Sequence, residues 1–322
     1  MDSKKALIIG VNGQDGAYLA QHLINNGYDV VGSSRDSENN EFHNLKKLGI
    51  YDLVKKVSLT PIDFRSVLHT IKDSKPSEIY NLSGQSSVGL SFSQPVETLE
   101  SISTATINIL ESIRFLERDI KFYSAGSSEC FGDTGNVTVD ESKPFHPKSP
   151  YAIAKSTAFW EVAHYRDSYG LKACTGILSN HESPLRNRRF VTQKIISSVK
   201  LISEGRLAFL ELGNINIKRD WGWAPEYIEA MWKMLQMDVF DDYIIATGET
   251  RTLKEFIKLA FEYRGLEYAK YVKADSSLLR PSDIDEQKLS PNKANKILGW
   301  RAKYGLEYIV ENMSRAADEA NF

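Results

Sequence analysis

Short apolar runs at residues 6–10, 29–33, 56–59, 78–82, 120–124 and 173–178 predict buried strands. Between them, residues 16–26, 65–74, 97–117 and 150–169 carry apolar side chains at helical spacing. This alternation predicts an α/β fold, a doubly wound parallel sheet with helices on both faces and ligands at the carboxyl ends of the strands. The second half is less regular. It predicts a basic loop over 183–190, a helix near 191–203, a strand at 243–247 and a capped helix from Thr252. A Pro-marked segment over 279–290 then leads to a last helix. The expected organisation is a dinucleotide-binding domain over 1–180, returning near 215–250. A smaller, interleaved C-terminal substrate domain takes 181–214 and 251–322.

The first strand breaks on glycines in KALIIGVNGQDGAYL, with Gly10, Gly13 and Gly16 spaced G-x-x-G-x-x-G before a helix. Backbone N–H groups and a helix dipole then point at one spot, which suits a pyrophosphate, although a tight structural turn reads the same way. Tyr151 and Lys155 form a Y-x-x-x-K pair on one face of a helix, where an ammonium could draw the phenol's pKa down. Upstream, the strand at 120–124 ends in Ala125-Gly126-Ser127-Ser128-Glu129. A hydroxyl at Ser127 could bind a substrate oxygen, and Glu129 could act as general base or acid.

Composition narrows the classes. A chain of 322 residues with 42% hydrophobic and 25% charged residues suits a soluble globular protein. A net charge of −2 gives no reason to expect nucleic acid or an anionic membrane surface. The N-terminus enters a strand at once, leaving no room for a signal peptide, and no apolar stretch approaches a membrane span. The two cysteines, Cys130 and Cys174, suggest neither a disulfide framework nor a metal site. A cytoplasmic protein is expected.

Longer segments carry a resemblance: GVNGQDGAYLAQHL, EIYNLSGQSSVGLSF, PFHPKSPYAIAKSTAFW, GILSNHESPLR, FVTQKI, LGNINIKRDWG and IATGE. With them the chain resembles the extended short-chain dehydrogenase/reductases, and within these the GDP-mannose 4,6-dehydratases. The resemblance implies a Rossmann-like fold and an oxidation, elimination and reduction within one sugar. Tyr151, held by Lys155, would take the proton from the C4 hydroxyl, which Ser127 would also bind. Glu129 would remove the C5 proton and assist loss of the C6 hydroxyl as water. The nicotinamide cofactor would stay tightly bound and be recycled.

The resemblance also implies where ligands sit. Gly10, Val11, Asn12, Gly13, Gln14, Asp15 and Gly16 would surround the pyrophosphate. Leu82, Ser83, Gly84, Gln85 and Ser86 would line the nicotinamide half, and His181 and Arg186 would also touch the cofactor. Ser87, Asn180, Val191, Lys194, Arg219 and Arg280 fall where the family holds the GDP-sugar. Arg219 could instead form an ion pair with Asp220 or another carboxylate, and Arg188 and Arg189 read as a solvated basic loop. Arg35 matches the first of two adjacent arginines usual in the family and favours NADP, with NAD possible because Asp36 replaces the second. Thr60-Pro61 replaces the family's usual Asp-Leu adenine contact.

Two further departures bear on the sugar. Ser179 stands where the family commonly has Phe, which would open space for a larger sugar such as an N-acetylated hexose or a heptose. Trp223 replaces a His. The expected activity is a GDP-sugar 4,6-dehydratase acting on GDP-mannose, with another GDP-sugar, or an epimerase or 4-keto reductase, as alternatives. A cofactor-sensing protein without turnover is a third alternative. The loop after Arg35 is shorter than in family tetramers, so a homodimer or homotetramer is expected.

Overall fold

A computed structural model describes residues 4–319. Its first half runs β1 (Lys5–Ile9), α1 (Gln14–Asn25), β2 (Asp29–Ser34), α2 (His43–Lys47), β3 (Val54–Ser58), α3 (Phe64–Ser74) and β4 (Glu78–Asn81). It continues through α4 (Val88–Ser93), α5 (Pro95–Leu99), α6 (Ala105–Phe115), β5 (Lys121–Ala125), α7 (Pro150–Tyr169) and β6 (Ala173–Leu178). The second half adds β7 (Asn180–Glu182), α8 (Val191–Ser203), β8 (Leu210–Leu212), β9 (Lys218–Trp223), α9 (Ala224–Gln236) and β10 (Tyr243–Ile245). β11 (Thr250–Thr252), α10 (Leu253–Glu262), β12 (Val272–Ala274) and α11 (Leu306–Glu319) complete it.

Seven parallel strands form one sheet in the order β10-β6-β5-β4-β1-β2-β3. Both faces are covered over the central strands, which is why β1 and β6 read as apolar runs, whereas the edge strand β3, VKKVS, is half exposed. Ala6 and Ile8 pack toward α1 and α9, while Leu7 and Ile9 pack toward α3 and α6. The strand order reverses between β1 and β4, the switch point where such sheets bind ligands. Tyr243–Ile245 rejoins this sheet beside β6, with Tyr243 opposite Gly176.

The helix expected over 97–117 is present from Pro95 to Phe115, but it is not α-helical throughout. α5 passes through a π turn, Glu100–Thr104, before α6 begins. The wider turn receives Gly84, whose φ is 113° and whose added Cβ would stand 3.0 Å from the Ser101 carbonyl oxygen. The Gln85 N–H also donates to Ser101 Oγ at 3.2 Å. α7 starts cleanly because Ser149 accepts from the Ala152 N–H and Pro150 occupies the first turn.

A second layer carries a mixed sheet, β11-β9-β7, and a parallel pair, β12-β8. Its core gathers α8, α10 and α11 around Trp221, Phe256, Phe261 and Ile309. Thr252 and Glu255 form the capping box that opens α10. No helix among the described residues is long and apolar enough to cross a membrane.

Candidate active site

The glycine loop between β1 and α1 is built by close backbone approaches. Gly10 holds φ 94°, and a Cβ there would lie 3.0 Å from the Leu82 carbonyl oxygen. At Gly16 a Cβ would lie 2.3 Å from the Gly10 carbonyl oxygen, so only glycine fits. Gly13 caps α1 without a side-chain bond, leaving the helix's first N–H groups directed outward. Above the loop runs a cleft of about 1720 Å³. Its wall includes Gly10, Asn12, Gly13, Gln14, Asp15 and Gly16, then Leu82 through Ser86, and Arg35, Thr60 and Pro61. Val11 does not face this cleft, because its side chain packs under Gly32.

Asp15, in the cleft lining, is held by His181, Nε2 to Oδ2 at 2.9 Å. Burial pushes Asp15 upward, but the charge and hydrogen bond of His181 prevail and its pKa falls to about 2. Burial likewise disfavours His181⁺, yet Asp15 outweighs it and the imidazole's pKa is raised. Gln14 ties the same strand down, donating to the His181 carbonyl at 3.1 Å and accepting from Ser183 Oγ at 2.7 Å. Gln14 and Asp15 line the cleft, whereas His181 and Ser183 are not among its lining residues and brace the loop against β7.

Ser127, Glu129, Tyr151 and Lys155 lie together, each about nine-tenths buried, and none of the four is among the residues lining the cleft. Ser127 caps a short turn, Ser128–Phe131, accepting from the Glu129 N–H, and its hydroxyl also bonds the Tyr151 phenol. The expectation that Lys155 draws the phenol's pKa down is not met. Burial dominates and raises Tyr151 above its ordinary value, with Ser127 working in the opposite direction. Lys155 Nζ instead donates to the Ala125 carbonyl at 2.6 Å, 5.9 Å from the Tyr151 ring centre, and burial lowers its pKa to about 8.

Glu129 is raised by burial against the pull of Arg219 and Arg280. Arg219 is itself only 2% exposed. Its Nε stands 3.8 Å from Glu129 Oε1, and its other nitrogens donate to the Lys218 and Ile284 carbonyls and to Asp283. Arg219 is thus ion-paired with carboxylates. Its partners are Glu129 and Asp283. Asp220 instead accepts from Ser179 and the Thr247 and Gly248 N–H groups. Arg280 Nη1 reaches the same Asp283 oxygen at 3.2 Å.

The remaining expected sugar contacts are dispersed. Ser87 caps α4, Val191 opens α8 against the second core, and Lys194 Nζ donates to the Glu211 carbonyl. Asn180 begins β7, and none of these four lines the cleft. Arg186 does line it, stacked on Phe190 and 3.2 Å from the buried Glu182. Arg188 and Arg189 are exposed, but both also line the cleft, and Arg189 donates to Ser86 Oγ. A solvated loop is therefore an incomplete description of them.

Ser179 does not open a sugar pocket. It is 3% exposed, and its hydroxyl bonds Asp220 at 2.9 Å and Tyr227 at 2.6 Å. Trp223 packs edge-on against Tyr308 of α11. Sequence reading also missed the cleft residues of α2, Asn44, Lys46 and Lys47, and the carboxylate Asp283 that holds both arginines. The run HNLKK, directly after the shortened loop, was the available signal for the first.

Residues 7–313 match the family described as GDP-mannose 4,6 dehydratase. The chain is 42% identical over 320 residues to GDP-mannose 4,6 dehydratase 1 of Arabidopsis thaliana, covering 96% of this chain and 88% of that one. Among solved structures it is similar to the dTDP-glucose 4,6-dehydratase of Bacillus anthracis in complex with NAD. There the TM-score is 0.85 at 18% identity, over 98% and 97% of the two chains. It is also similar to RMD of Pseudomonas aeruginosa complexed with NADPH, at a TM-score of 0.80 and 17% identity over 98% of each. At such identities these two structures speak for the fold. Family match and full-length relative together establish that the chain belongs to the GDP-mannose 4,6 dehydratase family.

Proposed function

We propose that this protein dehydrates GDP-mannose to GDP-4-keto-6-deoxymannose, using a nicotinamide dinucleotide that is bound along the cleft and recycled. The supporting observation is a buried carboxylate, Glu129, beside the Ser127, Tyr151 and Lys155 set. Oxidation or reduction at C4 needs only a hydroxyl-binding and proton-accepting pair. Elimination also needs a base at C5, and Glu129 is the group in place.

The residues present fit the dinucleotide: a glycine cradle that any Cβ would obstruct, an uncapped helix start, and a cleft larger than a single small-ligand site. When bound, the nicotinamide cation supplies the hydride acceptor, and its positive charge favours the phenolate form of Tyr151. Ser127 holds the C4 hydroxyl, and Tyr151 takes its proton. Lys155, with its pKa at about 8, is charged at neutral pH. Glu129, raised by burial, is a stronger base than an exposed carboxylate and accepts the C5 proton. Arg35 at the end of β2, with Asp36 turned back onto Glu38 and Asn39, favours NADP over NAD.

Incubating the purified protein with GDP-mannose and following the sugar by mass spectrometry tests the reading. Loss of one water supports it, unchanged mass points to epimerisation, and untouched sugar to a sensor. Tyr151→Phe should stop the first oxidation.

A second copy is proposed to pack on α5, α6 and α7, where Val96, Ile107, Ile153 and Trp160 are exposed. Light scattering would show the dimer. The free, buried Cys130 and Cys174 suit a reducing compartment, so we place the protein in the cytoplasm.

A further inference from the structure

The family's second arginine is replaced here by Asp36, so an NADP site would be short of one cation at the end of β2. The structure offers a replacement from a different element. α2 is fixed to the glycine loop by a ladder of asparagines. The Asn44 side chain donates to the Asn12 carbonyl at 2.9 Å, and the Asn44 N–H donates to Asn12 Oδ1. Asn12 Nδ2 in turn donates to Asn40, and Asn40 Nδ2 donates to Ser34 Oγ at 2.8 Å. The chain therefore passes from the end of β2, through Asn40, back to the cleft as one braced unit.

Lys47 follows Asn44 by three positions, so it shares the helix face that meets the loop. It is exposed and lines the cleft together with Ser34, Arg35 and Thr60. Lys46 also lines the cleft, but its ammonium sits 5.3 Å over the Tyr51 ring. Two acids of the same segment are occupied elsewhere. Asp36 closes its own turn, and Glu41 pairs with His43 at 2.9 Å.

We propose that Lys47, from α2, and Arg35, from the end of β2, clamp the 2′-phosphate of the cofactor between them. Lys47 thereby supplies the charge that the family takes from an adjacent arginine. A phosphomonoester carries close to two negative charges at neutral pH, and two cations from separate elements match it better than one. The proposal rests on the NADP reading, and the experiment separates the two.

Purified full-length protein is titrated with NADPH and with NADH, following nicotinamide fluorescence, in the wild type, Lys47→Ala and Lys47→Arg. The expected result is a wild-type preference for NADPH that Lys47→Ala cuts roughly 10- to 100-fold. NADH affinity should be unchanged, and Lys47→Arg should restore the preference. If the wild type prefers NADPH and Lys47→Ala leaves the ratio intact, the role of Lys47 is overturned while the NADP reading survives. If both affinities fall together in Lys47→Ala, the lysine is structural and the clamp is likewise overturned. A wild type that binds NADH better overturns the NADP reading itself.

Discussion

Arg219 Nε stands 3.8 Å from Glu129 Oε1, and both side chains are almost fully removed from water. Burial alone would strongly favour the protonated acid, and the guanidinium restrains that shift. The result is a carboxyl raised above its ordinary value yet still able to ionise, which suits a base that must later give up its proton. Glu129→Gln keeps the shape and removes the base. It should permit oxidation at C4 but block elimination, lowering turnover by about 10²–10⁴-fold. Reduced nicotinamide should then accumulate on the enzyme without released product. Full product formation by this variant would refute the assignment.

Asp283 controls the other side of Arg219. Its Oδ1 lies 3.2 Å from both Arg219 Nη2 and Arg280 Nη1, so one carboxylate oxygen draws the two arginines together. If these arginines hold the substrate diphosphate, Asp283 occupies the place of that anion. Asp283→Asn should therefore lower KM for the GDP-sugar, by about tenfold for each 1.4 kcal/mol of competition removed. Asp283 also raises the pKa of Glu129, so its neutralisation should move the acid limb of the pH–rate profile downward. Steady-state kinetics across pH checks both signs. An unchanged acid limb would separate Asp283 from the base.

Most of the main sheet was legible because its central strands are buried on both faces and leave apolar runs in sequence, while the edge strand β3, VKKVS, is half exposed. The three-residue strands β7, β8, β11 and β12 leave no such mark, whereas the equally short β10, fully buried as YII in the main sheet, does. The π turn at Glu100–Thr104 was hidden for a different reason: it packs against Gly84, which lies outside the helix in sequence. Tyr151 and Lys155 could be found because residues four apart on a helix share a face. Asp283 could not, since its tie to Arg219 spans 64 positions and depends on tertiary packing. Ser179 shows the opposite failure. A residue type that differs from the family looks like an altered pocket, but sequence does not say which way the side chain faces.

That failure yields a test. Ser179 Oγ lies between Asp220 and Tyr227, and burial pushes Asp220 up to about 6 despite the bonds it accepts. Ser179→Ala removes one of the donors holding the charged form. Stability should fall by about 1–3 kcal/mol above the Asp220 pKa. The loss should shrink below it, where the folded-state carboxyl is already protonated. Sugar preference should stay the same. Urea unfolding on either side of that pKa, with a GDP-sugar panel beside it, measures both. A variant that gains activity on a larger sugar would return Ser179 to the pocket wall.

The pair Asp15 and His181 makes a prediction of the opposite sign. Asp15 has a folded-state pKa of about 2 against an ordinary 3.8, so its stabilisation is present above the ordinary value and lost as pH falls toward 2. His181 is raised above 6.5, so its side of the same contact is complete below that value and lost as pH rises through the folded-state pKa. These are two views of one interaction and are not added. Asp15→Asn preserves the hydrogen-bonding shape and deletes the charge. It should cost about 2 kcal/mol in the window between the two ordinary pKa values. The difference from the wild type should narrow at both ends, in acid because Asp15 becomes protonated and in alkali because the imidazole becomes neutral. Urea unfolding at three pH values reads this directly. A penalty that does not vary with pH would mean that the contact acts through packing and not through charge.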